Sequence, residues 1–213
     1  MAQASSWAAE ANLKINLGKT QELIIVRSNR SIHKHSVPLT QGLKRVEHLK
    51  ILGVTLSSSF AFGKHIDIIC SRARQAQYAV RVLSSHGLHG KRLHDVVRST
   101  IVAGLLYSSA SWWGFVSASE RRRLQAILNR LCRLGYIPDD TPSFEQLCSR
   151  ADKVLFASIV LSLEHVLHHY LRPRKQSERS LRPRAHDRVL PKSDDRMRRT
   201  FLIRMLYSDC SCR

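Results

Sequence analysis

Residues 48–83 read HLKILGVTLSSSFAFGKHIDIICSRARQAQYAVRVL, and a change of period inside this stretch decides the fold. HLKILGVTL at 48–56 alternates and carries β-branched Ile51, Val54 and Thr55, the pattern of a strand. Gly53 within it marks a bulge or a close approach of backbone. From Phe62 the period lengthens. Phe62, Ile66, Ile69, Ala73, Ala76, Val80 and Leu83 follow at spacings of 4, 3, 4, 3, 4 and 3, one apolar stripe along a helix. Lys64, Arg72, Arg74 and Arg81 lie off that stripe, on the solvated side. Gly87 supplies the C′ residue that ends the helix.

Upstream, LIIV at 23–26 is a short β-rich run, and 27–45 is polar and basic with Pro38 and Gly42, a loop or hairpin. Residues 20–57 are therefore expected to form a small antiparallel element. The chain opens on Ala4, Trp7/Ala8, Ala11 and Ile15 at helical spacing, without a cap, and this opening is expected to belong to something larger. Downstream, a second helix starts near Lys91, carries Leu93, Val96/Val97, Ile101 and Leu105, and runs into Trp112-Trp113-Gly114. Ser117-x-x-Glu120 is a capping box opening a third helix, with Leu124, Ile127/Leu128, Leu131 and Leu134 inward and Gly135 as its stop. Thr141-Pro142 reads as N-cap and N1 of a further helix, broken near Ser149 and reaching about Tyr170. VLFASIVLSL at 154–163, apolar nearly all round, is expected to be core. Residues 172–199 hold three prolines and little periodicity, an extended basic arm, and FLIRMLY at 201–207 is a last short helix. The fold class is α+β, mainly α.

The charge balance narrows the function. Among 213 residues, 35 Lys and Arg oppose 16 Asp and Glu, giving +19 and an isoelectric point near 10.6. The excess is spread along the chain: 8 basic against 3 acidic residues in 1–60, 7 against 2 in 61–98, and 12 against 4 in 172–204. A single basic tail on a neutral domain is excluded. Such a surface calls for a polyanion, and nucleic acid is the commonest. Mean hydropathy of −0.23 with 43% apolar residues places most of the chain in folded structure. No secretory leader is expected, and a reducing intracellular compartment, cytoplasmic or nuclear, suits cysteines Cys70, Cys132 and Cys148 that sit in apolar segments. Cys210 and Cys212 lack a second pair at zinc-ligand spacing. Residues 99–119 are uncharged but hold six serines and a threonine, so they are read as a buried helix rather than a membrane span.

Chemical motifs are sparse. Tyr136-Ile-Pro-Asp139-Asp140 has one residue too many between aromatic and acids for a metal-holding polymerase hairpin, and the Asp pair is read as capping the following helix. Asp194-Asp195 reads as charge balance in the arm. His165, His168 and His169 lack the Glu of a metal helix, Val166 standing there, and read as a helix surface. His33/His35 and His86/His89 have no clustered carboxylates. No metal site is expected. Tyr78, Tyr107, Trp112, Trp113, Phe115 and Tyr136 adjoin basic residues and have the rings to stack on bases, though most fall on apolar stripes.

Several stretches in order resemble the reverse transcriptase of non-LTR retrotransposons, close to invertebrate elements. Trp7…Asn12-Leu13-x-Ile15-Asn16-x-x-Lys19-Thr20 followed by LIIV is similar to the palm after the catalytic hairpin. His48-Leu49-Lys50-x-Leu52-Gly53-Val54, then Phe62 and His65-Ile66, resembles the primer-grip region. Leu105-x-Tyr107…Trp112-Trp113-Gly114-Phe115 resembles the thumb. Ala151-Asp152-x-x-Leu155-Phe156, His165-x-Leu167-His168, Leu181-Arg182-Pro183-Arg184-x-His186-Asp187 and Phe201-x-x-Arg204-Met205-Leu206-Tyr207 resemble the tail these reading frames carry.

The resemblance implies a polymerase in which Mg²⁺ ions held by palm aspartates drive nucleotide addition. No Asp precedes Asn12 here, so this chain is expected to bind no cofactor itself, to lack activity alone, and to depend on a metal-bearing N-terminal half. It implies a residual palm at 1–58, a helical thumb at 59–136 and a helical C-terminal extension at 137–213. Lys19 matches a lysine that protonates pyrophosphate. Asn16, Lys19, Lys50, Leu52 and Gly53, the helix residues Lys64, Arg72, Arg74 and Arg81, and Arg182 and Arg184 of the arm would contact an RNA–DNA template–primer, read by shape. Two rivals stand beside this reading: a free-standing basic helical nucleic-acid-binding module, and a membrane protein built on 99–119.

Overall fold

The computed structural model describes residues 2–25, 38–40, 42–174, 188–192 and 194–208. The chain forms two units, Met1–His65 and Ile66–Arg213. The fold class is α+β, mainly α, with two sheets of two strands among the described residues.

In the first unit, α1 spans Ala2–Glu10 and stops sooner than the spacing of Ala11 and Ile15 suggested. Asn12 takes a left-handed φ of 53°, and the Asn12 and Leu13 amides close back on the Ala9 and Ala8 carbonyls, a Schellman termination. A 3₁₀ turn at Leu17–Lys19 follows. Strand β1 is Gln21–Glu22 rather than 23–26, of which Val26 lies outside the described residues. It pairs parallel, not antiparallel, with β2, Lys44–Arg45. Glu22 explains this pairing: its carboxylate accepts from the Thr40 hydroxyl and the Arg45 guanidinium, both at 2.8 Å. The alternating run 48–56 is a hairpin rather than one strand. β3, His48–Ile51, and β4, Val54–Ser57, are antiparallel with Ile51 opposite Val54, so Leu52-Gly53 is a two-residue turn. Both turn residues have positive φ, 46° and 89°, as a type I′ turn demands.

Helix α2 spans Gly63–Ser85 and crosses from one unit into the other. Phe62, Ile66, Ile69, Ala73 and Val80 of its stripe are buried, whereas Leu83 is exposed. Its end matches expectation: the Gly87 and Leu88 amides bond the Ser84 and Leu83 carbonyls at 3.1 Å.

The second unit continues with α3, Gly90–Val97, a π-helical turn at Arg98–Val102, and α4, Ala103–Leu106. The single helix expected to run on to Trp112 is thus widened at Arg98 and broken at Tyr107-Ser108, where Ser108 is left-handed. Short α5, Ser109–Trp112, and a 3₁₀ turn follow. There Trp112, Trp113 and Phe144 pack ring on ring, with the Trp113–Phe144 centroids 5.4 Å apart in a T-shaped pair. A Cβ on Gly114 would overlap the Arg199 carbonyl and the Arg204 guanidinium, so only glycine lets these segments meet. The interrupted 99–119 stretch is no membrane-length helix, and no described helix is long and apolar enough to cross a membrane.

Helix α6, Ala118–Arg133, opens on the Ser117–Glu120 capping box and closes on a Schellman motif at Gly135. Helix α7, Phe144–Leu161, runs unbroken through Ser149. Its cap is Ser143, boxed with Gln146, rather than Thr141-Pro142, and Asp139 and Asp140 are exposed rather than capping. The 154–163 segment is less buried than its composition suggested: Phe156 and Ile159 are inside, while Val154, Leu161 and Leu163 are exposed. His168–Tyr170 is a 3₁₀ turn, so the histidines do not form a helix surface; the His168 ring instead donates from Nδ1 to the Ile159 carbonyl at 2.7 Å. The two described ends of the basic arm are tied together. Arg174 and Arg188 form an antiparallel bridge, and the Val189 amide bonds the Pro173 carbonyl. Asp194 caps α8, Asp195–Arg198, rather than merely balancing charge. Final helix α9, Phe201–Ser208, inserts Met205 and Leu206 against Phe156 of α7.

Candidate nucleic-acid interface

Helices α2 and α6 run side by side in one direction. Arg123 of α6 donates to Asp67 of α2 at 2.6 Å, and two turns further along each helix Arg74 meets Arg130 across a groove. The groove encloses about 420 Å³ and is lined by Arg74, Gln77, Tyr78 and Arg81 of α2, Arg130 of α6, and Leu134 and Tyr136 beyond it. No carboxylate lines it, and none of its three arginines is ion-paired with a described residue.

The register of α2 explains the arrangement. Arg74, Tyr78 and Arg81 recur at four and three residues and share one face. Arg72 sits about 200° from Arg74 around the helix, so it lies on a different face and not in the groove. Lys64 is exposed in the first turn of α2, in the first unit. Tyr78 is 71% exposed, unlike Trp112, Trp113 and Tyr136, which are buried. Gln77 is buried with its amide nitrogen lacking a partner. That nitrogen is closed to solvent, so Gln77 belongs to the floor of the groove rather than to its accessible walls. Three guanidinium groups and an exposed phenol ring make a receptor for an anionic ligand with stackable faces.

The other sequence-derived residues are distributed as follows. Asn16 caps the 3₁₀ turn, its side chain accepting from the Lys19 amide at 3.1 Å, and the Lys19 side chain is exposed at the end of that turn. Lys50 is exposed on β3, and Leu52 stands 87% exposed at the hairpin tip beside Gly53. Arg182 and Arg184 lie outside the described residues, as do His33, His35, Cys210 and Cys212. Arg130 and Gln77 were not singled out by sequence; the only signal for Arg130 was its place among the arginines of α6, and Gln77 offered none.

Among the described residues no group of three or more His, Cys, Asp or Glu side chains is placed to hold a metal ion. Burial pushes the Cys148 thiol up to about 12, and burial likewise raises Cys70, so neither is an activated nucleophile. Burial also raises Asp152, opposed by Arg204, whose guanidinium donates to it at 2.7 Å.

Over 135 residues, 61% of the chain, the sequence is 29% identical to a probable RNA-directed DNA polymerase from transposon X-element of Drosophila melanogaster. The matched region is 14% of that protein's length, so the chain spans a small part of it. No family model matches the chain, and no solved structure does.

Proposed function

We propose that this chain is a non-catalytic segment of a reverse transcriptase of the non-LTR retrotransposon type, and that it holds RNA–DNA template–primer. Similarity to a transposon RNA-directed DNA polymerase supports the ancestry. The observation that carries the binding function is the carboxylate-free groove in which Arg74, Arg81 and Arg130 stand unpaired beside exposed Tyr78.

In this reading the α2–α6 pair acts as a thumb. Arg74 and Arg81 of α2 and Arg130 of α6 each take a phosphate of the sugar–phosphate backbone as a charge-assisted hydrogen bond, and each contact releases counterions. Tyr78, 71% exposed, packs on a sugar or base. Nothing in this set reads a base edge in pairwise fashion, so recognition is by charge and duplex shape. In the first unit Asn16, Lys19, Lys50 and the Leu52-Gly53 tip, together with Lys64, would touch the primer strand. Arg72, Arg182 and Arg184 would add charge outside the groove. Magnesium in this family supplies the Lewis acid for nucleotide addition. Its ligands would come from further polypeptide, the metal-bearing polymerase half, and Lys19 would act as general acid only in that company.

The test has two arms. The purified chain is expected to bind an RNA–DNA hybrid with affinity that falls steeply with salt. It is expected to add no nucleotide to a primed RNA template given Mg²⁺ and deoxynucleotides. Extension by the chain alone would overturn the non-catalytic assignment, and no hybrid binding at low salt would overturn the function.

A further inference from the structure

A second basic cavity lies in the helical unit, on the other side of the 135–138 loop from the groove. We infer that it binds a nucleoside 5′-monophosphate group, either free or as the phosphorylated 5′ end of a strand, and that it does so independently of the groove. One wall is a single stripe along α3, the π turn and α4: Lys91, His94, Arg98, Val102 and Leu106. The spacing keeps them on one face, and their chemistry changes along it, charged over the first two turns and aliphatic over the last two. The rest of the lining is likewise mixed, with Arg150 of α7 supplying charge and Ile137, Pro138 and Leu147 apolar surface. The cavity holds about 520 Å³, the size of a small-ligand site.

Three features point to this ligand class. Lys91, Arg98 and Arg150 face a single lining carboxylate, Asp95, and none is ion-paired with a described residue, so an excess of positive charge awaits an anion. His94 Nε2 lies 3.3 Å from the Gly135 carbonyl; a carbonyl only accepts, so Nε2 carries the proton and, in the neutral ring, Nδ1 is left as an acceptor for a sugar hydroxyl. Proline and aliphatic surface at the far end suits a flat ring. The wall between the two halves is the π turn Arg98–Val102, a departure from α-helix that recurs at ligand sites. Its cost is offset locally, because the Ser99 and Thr100 hydroxyls both donate to the Val96 carbonyl, at 3.1 and 2.6 Å.

Calorimetric titration of the full chain with adenosine 5′-monophosphate tests the inference, with adenosine and inorganic phosphate titrated separately. Saturable binding of the monophosphate is expected, with each half-ligand at least about tenfold weaker. The double variant Arg98→Ala/Arg150→Ala, at two exposed positions, is expected to weaken it at least about tenfold, while Arg74→Ala/Arg81→Ala/Arg130→Ala leaves it unchanged. Competition by a 5′-phosphorylated dinucleotide but not its 5′-hydroxyl form would identify strand ends as the source; competition by neither would identify the free nucleotide. The inference fails if the monophosphate does not bind, if phosphate alone binds as tightly, or if the groove variant weakens it as much as the cavity variant. Hybrid binding measured on the same preparation separates the two proposals, since either can be lost with the other intact.

Discussion

Asp152 is 3% exposed, and of its two carboxylate oxygens one accepts from Arg204 while the other is buried without a partner. Desolvation outweighs the guanidinium and raises its pKa above the ordinary aspartate range. An acid raised on folding stabilises the fold fully below its unfolded pKa, and that contribution is lost as pH climbs through the raised value. Asn at this position stays neutral at every pH. The unfolding free energy of Asp152→Asn relative to wild type, followed by urea denaturation from acid to neutral pH, is therefore expected to shift in the variant's favour as pH rises; a shift the other way would show that the ion pair dominates. Leu52 is strained for a different reason. A β-turn position with φ of 46° suits Asn or Gly, and Leu there carries about 1 kcal/mol of conformational cost. Leu52→Asn should raise stability by about that amount, read as an increased urea midpoint, and a lower midpoint would mean the exposed side chain is held by contacts that outweigh its strain.

At the scale of elements, what was legible in the sequence is what is encoded locally. The Ser117–Glu120 box, the stops at Gly87 and Gly135 and the period of α2 depend on residues within a turn or two of one another, and each formed where its pattern stood. Burial is a property of partners, and there the reading slipped. Val154 and Leu161 of α7 are as apolar as Phe156 and Ile159, but only the latter two are buried, Phe156 against α9. The π turn was equally illegible, since nothing in RSTIV distinguishes it from ordinary helix until the hydroxyls of Ser99 and Thr100 are seen on the Val96 carbonyl. Ser143 displaced Thr141 as the cap of α7 because Gln146 completes a box with it, with both reciprocal bonds made. Ser143→Ala is expected to cost about 1 kcal/mol in urea unfolding, and Thr141→Ala less. The reverse order would return the helix start to Thr141.

Across the whole molecule the candidate site was half visible. The charge of +19 points to a polyanion, and the sequence sets Lys64, Arg72, Arg74 and Arg81 together on the basic side of α2, of which only Arg74 and Arg81 line the groove. Their meeting with Arg130, remote in sequence, and with a buried unpartnered Gln77 arises only from the packing of α2 on α6. Two segments far apart in sequence converge as well: Asp152 of α7 pairs with Arg204 of α9, and Phe156 packs on Met205 and Leu206. The most direct measurement of the central claim is the salt dependence of RNA–DNA hybrid binding by the wild-type chain and by Arg74→Ala/Arg81→Ala/Arg130→Ala. Wild type should lose affinity steeply as salt rises, and the triple variant should bind more weakly with a slope shallower by about three, one for each phosphate contact removed. Identical slopes and affinities in the two proteins would contradict the claim that this groove holds nucleic acid.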